Sequence, residues 1–483
     1  MSEVKRLHPV SAVINFVKSL KDSLLPLLAI IFLNGNFSGG SVNWISIGIT
    51  GLVLLSVLLR GIFRWISFTY RVEEGELRIE YGLIFKKKRY IPIDRIQSLN
   101  FSEGIFHRPF HLVKVSVETA GGSGGKQKAE AELTAIKRTE ADELENLIYK
   151  EQQTDVSLEQ EVNKRTNRKL VYEMKWKDIV VMAISSGGVG VVLSGAGVFF
   201  SQFMDVLPLG TLYNEIKDWL QFSVLIIAFS AFVLLLIAYG ISIILTVFRY
   251  ANFAVYLEEN DVIITRGLLE KKQMTIPRKR IQGIRMDENL IRQPLGYASL
   301  TLISAGGSMN KEAEQQLRLF PLIKRNQIRG KLAGILDDYG LDVSIKRPPV
   351  RSVRRYLLRK SWITWILSAA AIIIFFPLGL FSLIVPLFFT GIGWLSYRDA
   401  GWNVNNDQLL LRNRAIGLQT YIMKRHRIQS AAVSQTIFQK RAELESVAVS
   451  LKSGDGRAKA ECLYLEKNDC ETIMKWYRPF SKA

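Results

Sequence analysis

"RYIPIDRIQSLN", Arg89–Asn100, recurs 185 residues later as "MTIPRKRIQGIR", Met274–Arg285. A third copy, "MKRHRIQSAA" over Met423–Ala432, follows at a further spacing of 147 residues and has Lys424 where the other two have proline. The recurring positions are Pro92, Arg95 and Gln97, Pro277, Arg280 and Gln282, and Arg427 and Gln429. Repetition at constant spacing predicts three copies of one structural unit. We interpret the recurring residues as structural, with Arg and Gln bonded to turn backbone.

A glycine-rich segment follows the first copy, "AGGSGGKQ" over Ala120–Gln127. A phosphate-binding P-loop requires G-x-x-x-x-G-K-[ST], but this chain has Ala120 and Gln127 at the first and last positions of that pattern. The other two repeats have "AGGSMNKE" and "KSGDGRAK" at the same place, so glycine persists and the lysine motif does not. Since strand-like segments flank all three, we predict a hairpin turn in each repeat.

Each repeat also contains alternating apolar and polar segments and one helical segment. The alternating segments are "FTYRVEEGELRIEYGLI", "YLEENDVIITRGLL" and "WNVNNDQLLLRN", and each has turn residues at its centre. The helical segments are Thr139–Gln152, Lys324–Gly340 and Asn468–Phe480. The pattern predicts a unit of β-strands that ends in a helix.

Long apolar stretches separate these units. The chain carries 64 Lys and Arg against 44 Asp and Glu, a formal charge of +20, yet its mean hydropathy is +0.13. Six stretches contain no charged residue: Leu24–Leu33, Trp44–Leu59, Ile179–Phe203, Leu220–Phe248, Trp362–Phe376 and Leu378–Leu395. A helix needs about 20 apolar residues to cross a bilayer. We therefore predict six transmembrane helices in three hairpin pairs. The first helix must extend back over Val13–Leu20 and so include Lys18, Lys21 and Asp22.

The basic residues predict the orientation. The three short links within the pairs, Asn34–Asn43, Gln202–Trp219 and Pro377–Gly379, contain one basic residue, Lys217, and the other 63 lie elsewhere. This bias is typical of cytoplasmic segments. We expect a multi-pass cell-membrane protein with cytoplasmic termini and β-domains. The predicted boundaries are 1–63, 161–248 and 346–397 for the transmembrane pairs, the last two with a lead-in helix, and 64–160, 249–345 and 398–483 for the β-domains.

Paired spans followed by a small β-domain with an "IPxxRIQ" core resemble the bacterial pleckstrin-homology-like (PH-like), membrane-flanked domain family. The resemblance covers almost the whole chain, includes "KRLHP" at Lys5–Pro9, and is most specific in the three Arg-Ile-Gln triplets. It implies a membrane protein of mixed α+β class, whose six helices alternate with three cytoplasmic PH-like β-barrel domains that each end in a helix. It implies no catalytic role. It suggests as a partner a smaller membrane protein with one PH-like domain.

Basic segments occupy equivalent places in the three repeats. They comprise Lys86, Lys87, Lys88 and Arg89, then Lys271, Lys272, Arg278 and Lys279, and finally Lys424 and Arg425. Domains tethered to an anionic leaflet would gain about 1 kcal/mol for each such residue near the surface. Binding of anionic lipid or of a partner protein is one interpretation, and a strand edge kept from pairing by its charge is the other. Nucleic acid is disfavoured because aromatic residues do not alternate with the basic ones.

We therefore expect a non-enzymatic membrane scaffold that serves envelope homeostasis or resistance to membrane-active agents. The alternative is a component of a transporter or export system, although ionisable residues are rare in the apolar stretches. An enzyme is the third and least favoured hypothesis, because no nucleophile–base set, paired carboxylates or metal-ligand cluster stands out in the sequence. No metal or cofactor is predicted, and Cys462 and Cys470 are expected to be free thiols.

The predicted topology is testable with single cysteines at Ser2, Ser38 and Ser123 in a cysteine-free background. An impermeant thiol reagent applied to intact cells should label the cysteine at Ser38 alone, because only the short links face outward. Labelling at Ser123 would contradict the arrangement.

Overall fold

The computed structural model describes residues 4–20, 44–82, 86–119, 131–151, 168–186, 224–258, 261–305, 317–341, 344–453 and 456–478. Within these ranges the chain is mixed α+β, and each β-unit has the predicted order of strands followed by a helix. The glycine-rich segment at 120–130, most of the first predicted span and the links at 34–43 and 202–219 lie outside them.

The first repeat contains seven strands and three helices in the described ranges. They are β1 (Lys5–Arg6), α1 (Val10–Leu20), α2 (Trp44–Ile66), β2 (Thr69–Glu73), β3 (Glu76–Tyr81), β4 (Lys87–Pro92), β5 (Ile96–Glu103), β6 (Leu112–Thr119), β7 (Ala131–Lys137) and α3 (Arg138–Glu151). Strands β1 to β4 form one sheet and β5 to β7 part of a second. Alternate residues of both sheets, such as Leu77 and Val115, face one core, which Leu144 of α3 completes.

The second repeat has the same order. Its elements are β8 (Lys169–Glu173), α4 (Trp176–Ser185), α5 (Val224–Tyr250), β9 (Ala254–Glu258), β10 (Asp261–Arg266), β11 (Lys271–Pro277), β12 (Ile281–Glu288), β13 (Tyr297–Ser304), β14 (Arg318–Lys324) and α6 (Arg325–Leu332). Helix α6 ends earlier than the predicted Gly340. Gly334 lies in the left-handed region at φ +92°, and its backbone N–H donates to Asp337, which forms a turn where the helix was expected to continue.

The third repeat completes the chain. Its elements are α7 (Val353–Ile374), α8 (Ile384–Asp399), β15 (Gly401–Asn405), β16 (Gln408–Arg414), β17 (Leu418–Lys424), β18 (Ile428–Ser434), α9 (Ile437–Lys440), β19 (Leu444–Ser453), β20 (Gly456–Glu466) and α10 (Lys467–Tyr477). Lys424 replaces the proline of the other repeats, yet the same 3-10 turn follows β17 as follows β4 and β11. The substitution leaves the strand–turn geometry intact.

The predicted hairpins are confirmed where the structure describes them. Glu73 pairs with Glu76 across a two-residue loop in which Glu74 and Gly75 both have positive φ, as this tight turn requires. The strands that flank the glycine-rich segments pair antiparallel in all three repeats, β6 with β7, β13 with β14 and β19 with β20. This pairing supports the hairpin interpretation over a P-loop.

In each of the first two repeats, a short strand precedes the apolar region. β1 pairs with β2, and β8 with β9. In the third repeat, the backbone N–H groups of Lys346 and Trp402 each donate to the other residue's carbonyl at 2.9 Å. Before the second pair, Lys169–Glu173 is the strand β8, whose hydrogen bonds go to β9, and the lead-in helix stays a prediction because residues 161–167 lie outside the described ranges. Before the third pair, a 3-10 turn at Val350–Ser352 leads directly into α7.

The three units are joined edge to edge through backbone pairing. β5 of the first unit pairs with β11 of the second, and β12 of the second pairs with β17 of the third, so that sheets of seven and six strands cross the boundaries. Side chains reinforce both junctions. Thr275 donates to Glu145 at 3.1 Å across the first, where burial raises the pKa of Glu145 to about 6. Lys424 forms an ion pair with Asp338 at 2.9 Å across the second.

Three helices are long and apolar enough to cross a membrane in the described ranges. They cover Phe232–Tyr250, Val350–Ile374 and Gly379–Asp399, and shorter apolar helical segments cover Val10–Leu20 and Leu54–Phe63. The last two long helices form an antiparallel pair, in which Ser368 Oγ donates to the carbonyl of Ser382 at 2.9 Å. The remainder of the six-helix prediction falls on residues 21–43 and 187–223, outside the described ranges.

Two glycines of α8 provide a matched test of this helix pair. A Cβ added at Gly393 would lie 2.9 Å from the Leu357 Cα atom, whereas one at Gly391 would have no neighbour within 4 Å. Gly393→Ala should therefore push the helices apart and lower the midpoint of thermal unfolding in detergent. Gly391→Ala should leave it unchanged or raise it, because alanine is favoured over glycine within a helix by about 0.5–1 kcal/mol. Equal effects of the two substitutions would contradict the packing.

Candidate membrane-contact site

The apolar helices enter the β-units at one end of the sheets, which we call the helix-exit face. It contains the residues that follow α2, α5 and α8, namely Ser67, Ala251 and Ala400. The turns that follow β3, β10 and β16 lie against these residues. Gly82 N–H donates to Ser67 Oγ at 3.3 Å, and Gly267 N–H donates to the carbonyl of Ala251 at 2.8 Å.

The third turn is held at the same face. Ser396 Oγ of α8 donates to the carbonyl of Arg414 at 3.1 Å. The Arg414 guanidinium forms a buried ion pair with Asp399 at 2.5 Å, at the last residue of α8. A buried pair of this kind fixes the geometry of the helix end, since breaking one partner would leave an uncompensated charge.

The connections after β5, β12 and β18 form a second row on the helix-exit face. Arg292 lies in the middle connection, and its buried guanidinium donates to Ser185 Oγ of α4 at 2.8 Å and to Ser299 Oγ at 2.8 Å. In the first connection the Phe110 ring lies 6.2 Å from His8, just before α1. In the third connection, the Gln439 side chain donates a hydrogen bond to Ser446 Oγ, and the Tyr464 backbone N–H donates to the same oxygen. The Tyr464 ring contacts the Tyr356 ring of α7.

Large apolar side chains are exposed along both rows. They are Ile105, Phe106, Phe110, Leu268, Leu269, Ile291, Leu295, Ile416, Ile437 and Phe438. Ile437 and Phe438 are 76% and 70% exposed. Contiguous exposed apolar groups are uncommon on soluble domains and mark membrane or protein contacts. Their position beside the ends of apolar helices favours a membrane.

The basic residues singled out from the sequence divide into two groups. Six lie toward the helix-exit face, at the start of β4 and β11: Lys86, Lys87, Lys88, Arg89, Lys271 and Lys272. The other four, Arg278, Lys279, Lys424 and Arg425, lie at the opposite end of the strands, in and beside the 3-10 turns. Strand β17 has seven residues, and a rise of about 3.3 Å per residue separates its ends by roughly 20 Å.

Three of the four basic residues at the end opposite the helix-exit face make intramolecular contacts. Arg278 donates to the carbonyl of Gly334, the Lys424 ammonium lies 5.3 Å from the centre of the Tyr339 ring, and Arg425 stacks over Trp476 at 6.0 Å. These contacts join strands to the closing helices and their loops. These contacts favour a structural role for Arg278, Lys424 and Arg425 over membrane binding.

The proline and Arg-Ile-Gln positions lie in or directly beside the 3-10 turn that links the two sheets in every repeat. Pro92 and Pro277 end β4 and β11, Arg95, Arg280 and Arg427 end the turns, and each isoleucine of the triplet is buried. Gln282 donates to the carbonyl of Arg280 at 3.1 Å, whereas Gln429 is exposed. Gln97 begins β5 together with Ile96.

One basic cluster on the helix-exit face escaped the sequence analysis. "RSVRRYLLRK", Arg351–Lys360, precedes the apolar part of α7 and contains five basic residues. Arg354 and Arg359 are exposed, and Lys360 donates to the carbonyl of Ala415 at 3.0 Å. The signal was the density of basic residues directly before an apolar stretch, which is typical of segments that meet anionic lipid.

Other reactive groups are separate from this face. Cys462 and Cys470 are buried free thiols, and burial raises the pKa of each to about 12. A buried, protonated thiol is unreactive. In the ranges that the structure describes, no group of three His, Cys, Asp or Glu side chains is placed to hold a metal ion.

Comparisons with known proteins agree with this architecture. A family model described as bacterial PH domain matches residues 24–152, 212–334 and 363–480, so that each match includes apolar residues and the β-unit that follows them. The chain is also similar to the UPF0699 transmembrane protein YdbT of Bacillus subtilis (strain 168). The two are 36% identical over 491 residues, which cover 99% of this chain and 98% of that protein. These matches confirm the resemblance seen in the repeats, and the chain belongs to the bacterial PH domain family.

Proposed function

We propose that this protein is a non-enzymatic scaffold of the cell membrane, which holds three PH-like domains against the anionic cytoplasmic leaflet. Six spans in three pairs anchor it, and both termini and all three domains lie on the cytoplasmic side. Envelope homeostasis or resistance to membrane-active agents is the process that such a scaffold would serve.

Strand pairing around each apolar region supports an even number of spans. The strand before each region is the hydrogen-bonded neighbour of the strand after it, as in β1 with β2 and β8 with β9. The chain therefore leaves a sheet and returns to the same sheet beside its point of departure. Two crossings satisfy this constraint and one does not. The positive-inside bias then favours the cytoplasm for the sheets.

The observation that carries the proposal is the combination of apolar and basic side chains on the helix-exit face. Phe106, Ile291 and Phe438 are all more than half exposed at equivalent connections. Lys87, Lys271 and Arg354 are exposed near the same end of the sheets. Apolar groups that enter the interface and basic groups that meet anionic headgroups are the two parts of peripheral membrane binding.

The proposal predicts a difference between the two ends of one domain. The full chain is placed in nanodiscs with an environment-sensitive fluorophore on a cysteine at Phe438 or at Asp407. Asp407 is an exposed residue in the β15–β16 turn, which lies away from the helix exits. A quencher attached to lipid headgroups should reduce the emission at position 438 and leave position 407 nearly unchanged.

Lipid charge and salt then test the electrostatic part. In nanodiscs with anionic phosphatidylglycerol, quenching at position 438 should exceed that in neutral phosphatidylcholine and should fall as salt increases. Similar quenching at both positions would refute the orientation. A difference between positions that is independent of lipid charge would support apolar contact and refute the selection of anionic lipid.

A further inference from the structure

The array of joined units ends in two open strand edges. In the described part of the chain, β4 is the last strand of its sheet, with β3 beside it, and β18 is the last strand of its own, with β19 beside it. β4 is the first-repeat counterpart of β11 and β17. β18 is the third-repeat counterpart of β5 and β12. In the described residues, each of the two strand types that form the internal junctions therefore occurs once without a strand of the other type beside it.

The two internal junctions use the same register. Glu103 lies opposite Lys271 at the first, and Glu288 lies opposite Leu418 at the second. The repeat spacing of 185 residues relates Glu103 to Glu288, and the spacing of 147 relates Lys271 to Leu418. The two junctions are therefore copies of one structural feature, related by the repeat spacings.

Equivalent residues are more exposed on the open edges than on the joined edges. Tyr90, Thr275 and Ile422 occupy equivalent positions, and their exposed fractions are 53%, 2% and 2%. Thr275 and Ile422 are covered by the strand of the preceding unit, whereas no strand of the described residues covers Tyr90 in this way. On the opposite edge, Val433 is 38% exposed where its first-repeat counterpart, Phe101, is 2% exposed.

We propose that β18 of one copy of this chain pairs with β4 of a second copy, in the antiparallel register of the internal junctions. The repeat spacings place Ser434 opposite Lys87 and Val433 opposite Lys88. Ser430, Ala431, Ala432 and Ser434 are small and uncharged, so they leave room for the long side chains of β4 and repel none of them. The inference rests on the junction geometry and not on lipid binding.

Head-to-tail pairing joins different surfaces of the two copies. Such contacts close into a ring or continue as an open row, depending on the rotation between units. Every repeat keeps its helices on the helix-exit face. Additional copies added through the same junction therefore retain that face toward one membrane.

Two rival explanations predict different results. A charged edge strand is a common device against pairing, and Lys87 and Lys88 would then keep β4 open. A PH-like domain of another protein would also fit either edge. The test must therefore report both whether β4 is paired and what pairs with it.

The test is disulfide formation between Ser434→Cys and Lys87→Cys in the full chain, in native membranes, with Cys462 and Cys470 replaced by alanine. The internal counterpart of this pair is Asp287 and Gln419, whose side chains are hydrogen-bonded at 3.1 Å. Asp287→Cys with Gln419→Cys is thus the positive control for folding and reactivity. Ser434→Cys with Lys88→Cys, which is out of register by one residue, is the negative control.

Mild oxidation should link Ser434→Cys/Lys87→Cys chains into dimers and longer ladders, and the out-of-register pair much less. Val433→Glu should raise the yield of the in-register pair and Val433→Lys should lower it, each by about two- to five-fold, because residue 433 would face Lys88. Absence of ladders while the internal control forms its disulfide would overturn the proposal. A crosslink to a protein of different mass would overturn it too.

If the alanine replacements prevent folding, the native cysteines are retained, because both thiols are buried. A second measurement is then the mass of the wild-type chain in detergent. It should increase with protein concentration for the wild type and less for Val433→Lys. A constant monomer mass would contradict self-assembly.

Discussion

Backbone pairing between β5 and β11 and between β12 and β17 is the constraint on which the rest of the structure depends. It joins three small units into continuous sheets and fixes their relative orientation. It also links the cores of the second and third units, since Leu410 and Ile422 of the third unit pack in the core of the second, and Ile303 of the second packs in the core of the third. A single unit would expose these edges and apolar residues to water. Three joined units bury them and place all the helix exits on one face.

The repeat made most of the unit predictable from sequence. The constant spacing from Arg95 to Arg280 required two similar folds, and alternating residues such as Leu77 and Ile79 identified strands with one buried face. Strand β8 was missed because five residues, "KLVYE", contain too little pattern to oppose the apolar stretch that follows. Its identity depends on hydrogen bonds to β9, about 80 residues later along the chain, and local patterns do not encode such pairing.

The junctions were not predictable from the basic residues alone. Lys87 and Lys271 look alike in sequence, yet β4 is an edge and β11 is an interior strand. The difference lies in the residues that follow. Gln273 to Ile276 of β11 are neutral and buried, whereas Lys88 and Arg89 of β4 are charged and exposed. The apolar pairs Ile105-Phe106, Leu290-Ile291 and Ile437-Phe438 also recur at the repeat spacings, and all of these residues except the half-buried Leu290 are exposed, so the helix-exit face has a sequence signal besides its charge.

Amide hydrogen exchange of the full chain in detergent tests the continuous sheet most directly. Successive amides of a strand point to opposite sides, so all of them exchange slowly only when the strand has a stable hydrogen-bonded neighbour on each side. We predict that amides of β11 and β17 exchange as slowly as those of β10 and β16, which lie inside the same sheets. Exchange of β11 and β17 within the time typical of open strand edges would show that the units are not joined, and would contradict the account.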